Sequence, residues 1–281
     1  MDADRRSGDH DVAVVGGGAA GVELLLAMQY RLRTTLRERG RDPDLLVFHL
    51  FTADATVLPT HNAAVQRRFA QVLHQRGVQL HVGAAVQEVQ GARLRTRDGQ
   101  WFDADEIVWV TQAGGAAWLQ TTGLALDERG FVRVNHALQS VSDPLVFAAG
   151  DVASMDGHGL EKAGVFAVRM AAPLARNLRR ALAQQPLQPY RPQRRWLALI
   201  STGDRYAVAS RGAVSFAGAW VWRWKDWIDR RFMRRFGEFP AMDTSSTGTS
   251  AVHPGALVLT PEESAQALSA IAMRCGGCGA K

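Results

Sequence analysis

The residues with the clearest capacity for chemistry are Gly16, Gly17, Gly18 and Gly21, in the run Val12-Ala13-Val14-Val15-Gly16-Gly17-Gly18-Ala19-Ala20-Gly21-Val22-Glu23. Glycines 16, 18 and 21 have the G-x-G-x-x-G spacing. The first permits a tight turn, the second lets backbone approach a pyrophosphate, and the third lets helix pack against strand. A helix opening at this point supplies free N–H groups and a positive dipole end to phosphates. The chemistry implied is dinucleotide binding; a plain glycine-rich turn at a strand end is the blander alternative. An acid near the end of the next strand would bind the adenine ribose. Here the first acid is Asp54, a few residues late, and no arginine immediately replaces it, so NAD against NADP stays open. A second carboxylate, Asp151, closes the apolar run Leu145-Val146-Phe147-Ala148-Ala149-Gly150, at the tip where open α/β sheets bind ligands. Cys275-Gly-Gly-Cys278 is spaced as a redox pair or half a zinc site. No full metal-ligand set is visible.

The elements that must position these groups follow from periodicity. A short buried strand precedes the glycines, and a helix with Leu25, Met28, Leu32 and Leu36 on one face follows to about Arg37. Gly40 and Asp42-Pro43-Asp44 end it, and residues 45–51 form a second buried strand, completing a β-α-β unit. A helix from Ala63 to Arg76 and a strand at 77–82 come next. Segments 86–89, 92–96 and 101–103 read as an antiparallel meander, and 106–110 as another buried strand. Residues 130–134 read as an edge strand and 143–149 as a buried strand ending at Gly150-Asp151. Leu160 to Leu182 reads as a helix that Pro173 should kink or divide. Two strands then flank Thr202-Gly203-Asp204, and a third covers 213–216. The fold class is therefore α/β, with a Rossmann-like parallel sheet and an α+β extension.

Composition excludes several classes. The chain has 281 residues, 47% hydrophobic and 21% charged, long enough for one large or two modest domains. No apolar run reaches the ~20 residues of a membrane span, and the polar start shows no secretory signal. The two cysteines fit a reducing, cytoplasmic compartment. The formal charge of +6 is uneven: residues 169–237 hold fifteen Arg or Lys against three Asp. Within that block, Trp220 to Phe236 carries tryptophans on one half of a helix and arginines around it. This pattern suits peripheral contact with an anionic membrane or, equally, a helix packed on its own domain. Nucleic acid is disfavoured, because no accompanying motif is present.

Two of these motifs together carry a family resemblance. VVGGGAAGVE and LVFAAGDVA, in this order, resemble the pyridine-nucleotide-dependent flavoprotein oxidoreductases, and most closely those like type II NADH dehydrogenase. The resemblance implies FAD and NAD(P)H as cofactors, hydride passing from nicotinamide to flavin, and a quinone-like acceptor. It implies that Asp151, with Gly150, holds the ribityl chain, that Glu23 lies near nicotinamide and flavin, and that Lys162 and Ala163 begin the helix beside the isoalloxazine. One fingerprint precedes Asp151 by about one domain, so it matches the family's second, NAD(P)H-binding fingerprint. On this basis the chain is expected to start inside the family's fold, and a flavin-less nucleotide-binding or partner-docking module is the competing expectation. The tail Arg274-Cys275-Gly276-Gly277-Cys278-Gly279-Ala280-Lys281 resembles the start of selenide, water dikinase. That implies a fusion, with Cys278 and Lys281 in the reactive positions but without the carboxylates that phosphoryl transfer needs. The expected domains are a polar tail (1–10), an NAD(P)-binding domain (11–115) and the C-terminal part of an FAD-binding domain (116–182). An α+β extension (183–240), a linker (241–259) and the dikinase-like start (260–281) would follow.

Overall fold

The computed structural model describes residues 9–237 apart from 112, 113 and 194. The expected linker and dikinase-like start, with Cys278 and Lys281, lie outside the described residues. The chain divides into two compact units, Met1–Arg223 and Trp224–Lys281.

The first unit opens with β1 (His10–Val15), α1 (Ala19–Glu38), β2 (Leu46–Phe51), α2 (Ala63–Gln75) and β3 (Gln79–His81). An antiparallel meander, β4 (Val86–Gln90), β5 (Arg93–Thr96) and β6 (Trp101–Asp103), leads to β7 (Glu106–Trp109). Strands pair in parallel in the order β3-β2-β1-β7, with Val15 beside both Phe51 and Trp109. β1 is therefore central and buried on both faces, which is why it reads as an unbroken apolar run. Val12 and Val14 pack with Leu25, Leu26, Phe69 and Leu73 of the helices. Ala13 and Val15 pack with Phe51, Leu94 and Ala104 on the meander side. This is the α/β, Rossmann-like architecture expected from the sequence.

A second core lies beyond residue 115. It is built on β8 (Val132–Val134) and β9 (Ala153–Met155), which pair in parallel, and on α3 (Gly164–Leu182). Two expectations are corrected here. Residues 143–149 form no strand: their backbone meets residues 138–140 in a single bridge, Gln139–Phe147, and Leu145 is 88% exposed. An apolar run becomes a buried strand only where a ladder partner flanks it, and among the described residues one side has none. Of the two outcomes expected at Pro173, a kink or a division, division does not occur: α3 runs unbroken from Gly164 to Leu182. Packing on either side of it, through Phe166 and Met170 before and Asn177 after, holds the helix despite the missing N–H.

β10 (Ala198–Ser201), β11 (Ala207–Arg211) and β12 (Val214–Gly218) form an antiparallel sheet. Ile200 and Val208 join the first core, so this sheet packs with α1 and α2 rather than standing apart. Its β10–β11 turn sits so tightly on α1 that a Cβ at Gly203 (φ +84°) would lie 2.5 Å from the Leu26 carbonyl oxygen. α4 (Ala219–Gly237) starts directly after β12 and carries the ion pairs Lys225–Asp229 and Asp226–Arg230.

Candidate functional site: a glycine turn at an uncapped helix

The four glycines of the fingerprint do different work. Gly16 (φ +133°) would put a Cβ 2.3 Å from the Val110 carbonyl oxygen, and Gly17 one 2.5 Å from Thr52 Oγ1. Gly21 would put one 1.9 Å from the Gly16 carbonyl oxygen. These three are fixed by chain packing. Gly21 admits the turn itself rather than the strand, a refinement of the expected role. Gly18 is different: a Cβ there would meet nothing within 4 Å. It is also the N-cap of α1, with no side-chain cap and no acid in the first turn. The first N–H groups of α1 therefore face open space beside a backbone that carries no side chain. That is the shape and the partial charge a pyrophosphate requires.

The loop after β2 closes over this turn. The Leu58 N–H donates to the Gly17 carbonyl (2.8 Å), and Val57 and Leu58 are fully buried. Asp54 lies in the same loop at the C-terminal end of the sheet, with its side chain exposed and its N–H on Thr52 Oγ1 (3.3 Å). Farther along, Thr60 hydrogen-bonds the Glu161 carboxyl. Loop 52–62 thus brings the glycine turn and the segment Glu161-Lys162-Ala163 to one region. Burial pushes the Glu161 carboxyl up from the usual carboxylate range, partly offset by Thr60. Burial likewise pulls the neighbouring His61 imidazole down.

On the second core, Ala163 is the N-cap of α3, again without a side-chain cap. Lys162 donates to the Ala153 carbonyl (2.7 Å), and its ammonium sits 3.9 Å from the Phe131 ring centre. Burial lowers its pKa, opposed by the carboxylates of Asp127 and Asp151. Gly150 (φ +72°) rests its α-carbon side on Ala167, where a Cβ would be 3.2 Å away. Its N–H points at Met170 Sδ. The tip that carries Asp151 is thereby seated on α3, with the carboxylate exposed. Glu23 lies in the second turn of α1, and its carboxylate accepts the Ser201 N–H at 2.7 Å, tying α1 to β10. The sequence could not show that partner, 178 positions away. Thr52, Thr60 and Glu161 were also missed, because nothing in their local pattern marks them. Among the described residues, no group of three or more His, Cys, Asp or Glu is placed to hold a metal ion. Nor is any described helix long and apolar enough to cross a membrane.

The family model for pyridine nucleotide-disulphide oxidoreductases matches residues 2–176, well over half of the chain. The chain belongs to that family. The family is one of FAD-dependent NAD(P)H oxidoreductases, and the chain is distantly related to type II NADH:quinone oxidoreductases. The Haemophilus influenzae enzyme of that name is 28% identical over 188 residues, covering 64% of this chain and 42% of the relative. The Mycobacterium tuberculosis type II NADH:quinone oxidoreductase Ndh is 28% identical over 238 residues, covering 79% and 50%. The chain thus spans about half the length of the curated relatives it matches. In fold it is similar to the sulfide:quinone oxidoreductase of Aquifex aeolicus, with a TM-score of 0.65 at 16% identity over 84% of this chain and 61% of that one.

Proposed function

We propose that this chain carries the nicotinamide-dinucleotide site of an FAD-dependent NAD(P)H oxidoreductase, with Gly16, Gly17, Gly18 and Gly21 as the pyrophosphate cradle. The observation that carries this is the open space over Gly18 at the uncapped start of α1. On the second core, Asp151 offers an exposed carboxylate to ribityl hydroxyls, and α3 opens at Ala163 without a side-chain cap, which supports FAD. A bound flavin would supply the two-electron chemistry, accepting hydride from the nicotinamide. The protein's own part is to orient and to tune charge. Lys162 Nζ, held on Ala153 and resisted by burial, can release a proton more readily than a surface lysine. Glu23 keeps α1, and with it the cradle, in register with β10. Asp54, in the loop that follows β2, would be the acid offered to an adenine ribose. The names of the relatives support a quinone-like acceptor, and the basic aromatic helix 220–236 supports peripheral contact with the inner face of a membrane. The resemblance of Cys278 and Lys281 to selenide, water dikinase remains a proposal from sequence alone.

A second reading, a dinucleotide-binding module without flavin, is favoured by the failure of residues 143–149 to join a sheet. One preparation separates the two. Calorimetric binding of NADH with flavin absorbance and NADH-dependent reduction of a soluble quinone supports the oxidoreductase. NADH binding by a colourless, inactive protein supports the module. No NADH binding at all refutes the site assignment.

A further inference from the structure

Away from the glycine turn, α2 and the three-stranded sheet enclose an open groove of about 300 Å³. Arg67, Arg68, Gln71 and Ser215 line it above Val208 and Phe216, and no acidic side chain takes part. It continues into a second hollow of about 330 Å³ that shares Arg68 and Gln71. There Arg76 is neutralised by Asp204 (2.6 Å). Arg68 lends one N–H to the Tyr206 hydroxyl (2.9 Å), which leaves the rest of its guanidinium, and the whole of the exposed Arg67, directed to solvent and groove.

The walls are fixed before any ligand arrives. Asn62 donates to Ser210 Oγ (3.2 Å) and to the Gly212 carbonyl (2.9 Å), while Arg76 donates to the Thr202 carbonyl (2.6 Å). Helix and sheet are therefore pinned at both ends of the groove. At its mouth Phe216 stacks on Trp220 (5.3 Å, 13°), and both rings are about half exposed, at 40% and 52%. Two guanidiniums with free forked donors select a phosphate ester. An exposed pair of aromatic rings beside them selects hydrocarbon adjoining that phosphate, since neither ring gains anything from a free ion in water.

We propose that this groove binds the phosphate of an anionic phospholipid headgroup, with Arg67 and Arg68 on the phosphate and Phe216 and Trp220 in the adjoining hydrocarbon boundary. It rests on the peripheral-membrane reading above and shares Trp220 with the helix 220–236, but adds a specific headgroup contact on α2 that this reading does not contain. The test is co-sedimentation of the full chain with phosphatidylcholine vesicles, with and without about 30% phosphatidylglycerol, whose anionic headgroups make the surface negative. The variant Arg67→Gln/Arg68→Gln should lose about thirtyfold in partitioning onto the anionic vesicles, with unchanged melting temperature and NADH affinity. Phe216→Ser should weaken binding to the same vesicles, and soluble glycerol 3-phosphate should not displace the wild type. If the arginine variant binds within twofold of wild type, the groove is not the headgroup site, although α4 contact survives. If wild type ignores anionic vesicles, both readings fall. If glycerol 3-phosphate strips the protein and Phe216→Ser changes nothing, the ligand is a free phosphate ester and the lipid assignment is overturned.

Discussion

Replacing Gly18 with valine separates binding from folding at the one fingerprint glycine that faces open space. Its backbone (φ −73°, ψ 178°) is accessible to a β-branched residue, and a Cβ there meets no atom within 4 Å. The substitution should therefore change stability by no more than about 1 kcal/mol. A dinucleotide over this position would lose its approach to the first N–H groups of α1. Two charge-assisted hydrogen bonds and the helix-dipole contribution sum to about 3 kcal/mol, or roughly a hundredfold in Kd. Gly21→Ala supplies the contrast. Its Cβ would lie 1.9 Å from the Gly16 carbonyl oxygen, so it should cost about 3 kcal/mol of stability by overpacking. Calorimetry with NADH and thermal denaturation of the three proteins give both quantities. A Gly18→Val protein that binds NADH within twofold of wild type would mean that no pyrophosphate sits over Gly18. One that melts as early as Gly21→Ala would mean that the space is not open.

Three further outcomes are expected. Glu23→Ala strands the Ser201 N–H and should cost about 1–3 kcal/mol, whereas Glu23→Gln keeps an acceptor and most of the stability; equal losses in chemical denaturation would refute the anchoring role. Gly203→Ala combines a strained φ with a 2.5 Å approach to Leu26 and should lower stability by about 2 kcal/mol or more, so an unchanged melting temperature would refute the tight docking of the β10–β11 turn on α1. Glu161 has a raised carboxyl pKa, so the native state holds its proton longer than the unfolded chain. Stability from this group is full below the ordinary glutamate value and falls as pH rises through the raised one. Glu161→Gln should flatten the dependence in that window, and a pH profile identical to wild type would count against the buried carboxyl.

Much of the first core was legible because its signals are local. The apolar run of β1, the glycine spacing and the periodic face of α1 all lie within some twenty-five residues, and each constrains backbone conformation directly. The meander was legible from its turn residues. Residues 106–110 read as a buried strand, but β7 is at the edge of the sheet with Glu106 and Trp109 exposed, because sheet order decides burial. The second core was less so. Residues 143–149 have the composition of a buried strand, but strand formation requires a partner, and composition does not say whether one is present. Glu23 illustrates the same point for a side chain: its carboxylate is read one way from the motif and another once Ser201 is beside it.

The sequence by itself determined that a helix would open behind Gly18, that Gly150 and Asp151 would form a turn, and that both would be bare of capping side chains. These are consequences of φ/ψ preference and of the residue types at each position. Tertiary structure alone decided that Leu58 would close on Gly17, that Thr60 would meet Glu161, and that Glu23 would accept from Ser201 on β10. It also decided that Arg67 and Arg68 would share a groove with Phe216. Such pairings depend on which surfaces burial brings together across tens to hundreds of residues. The free energy of that burial belongs to the whole core rather than to any segment that supplies the groups.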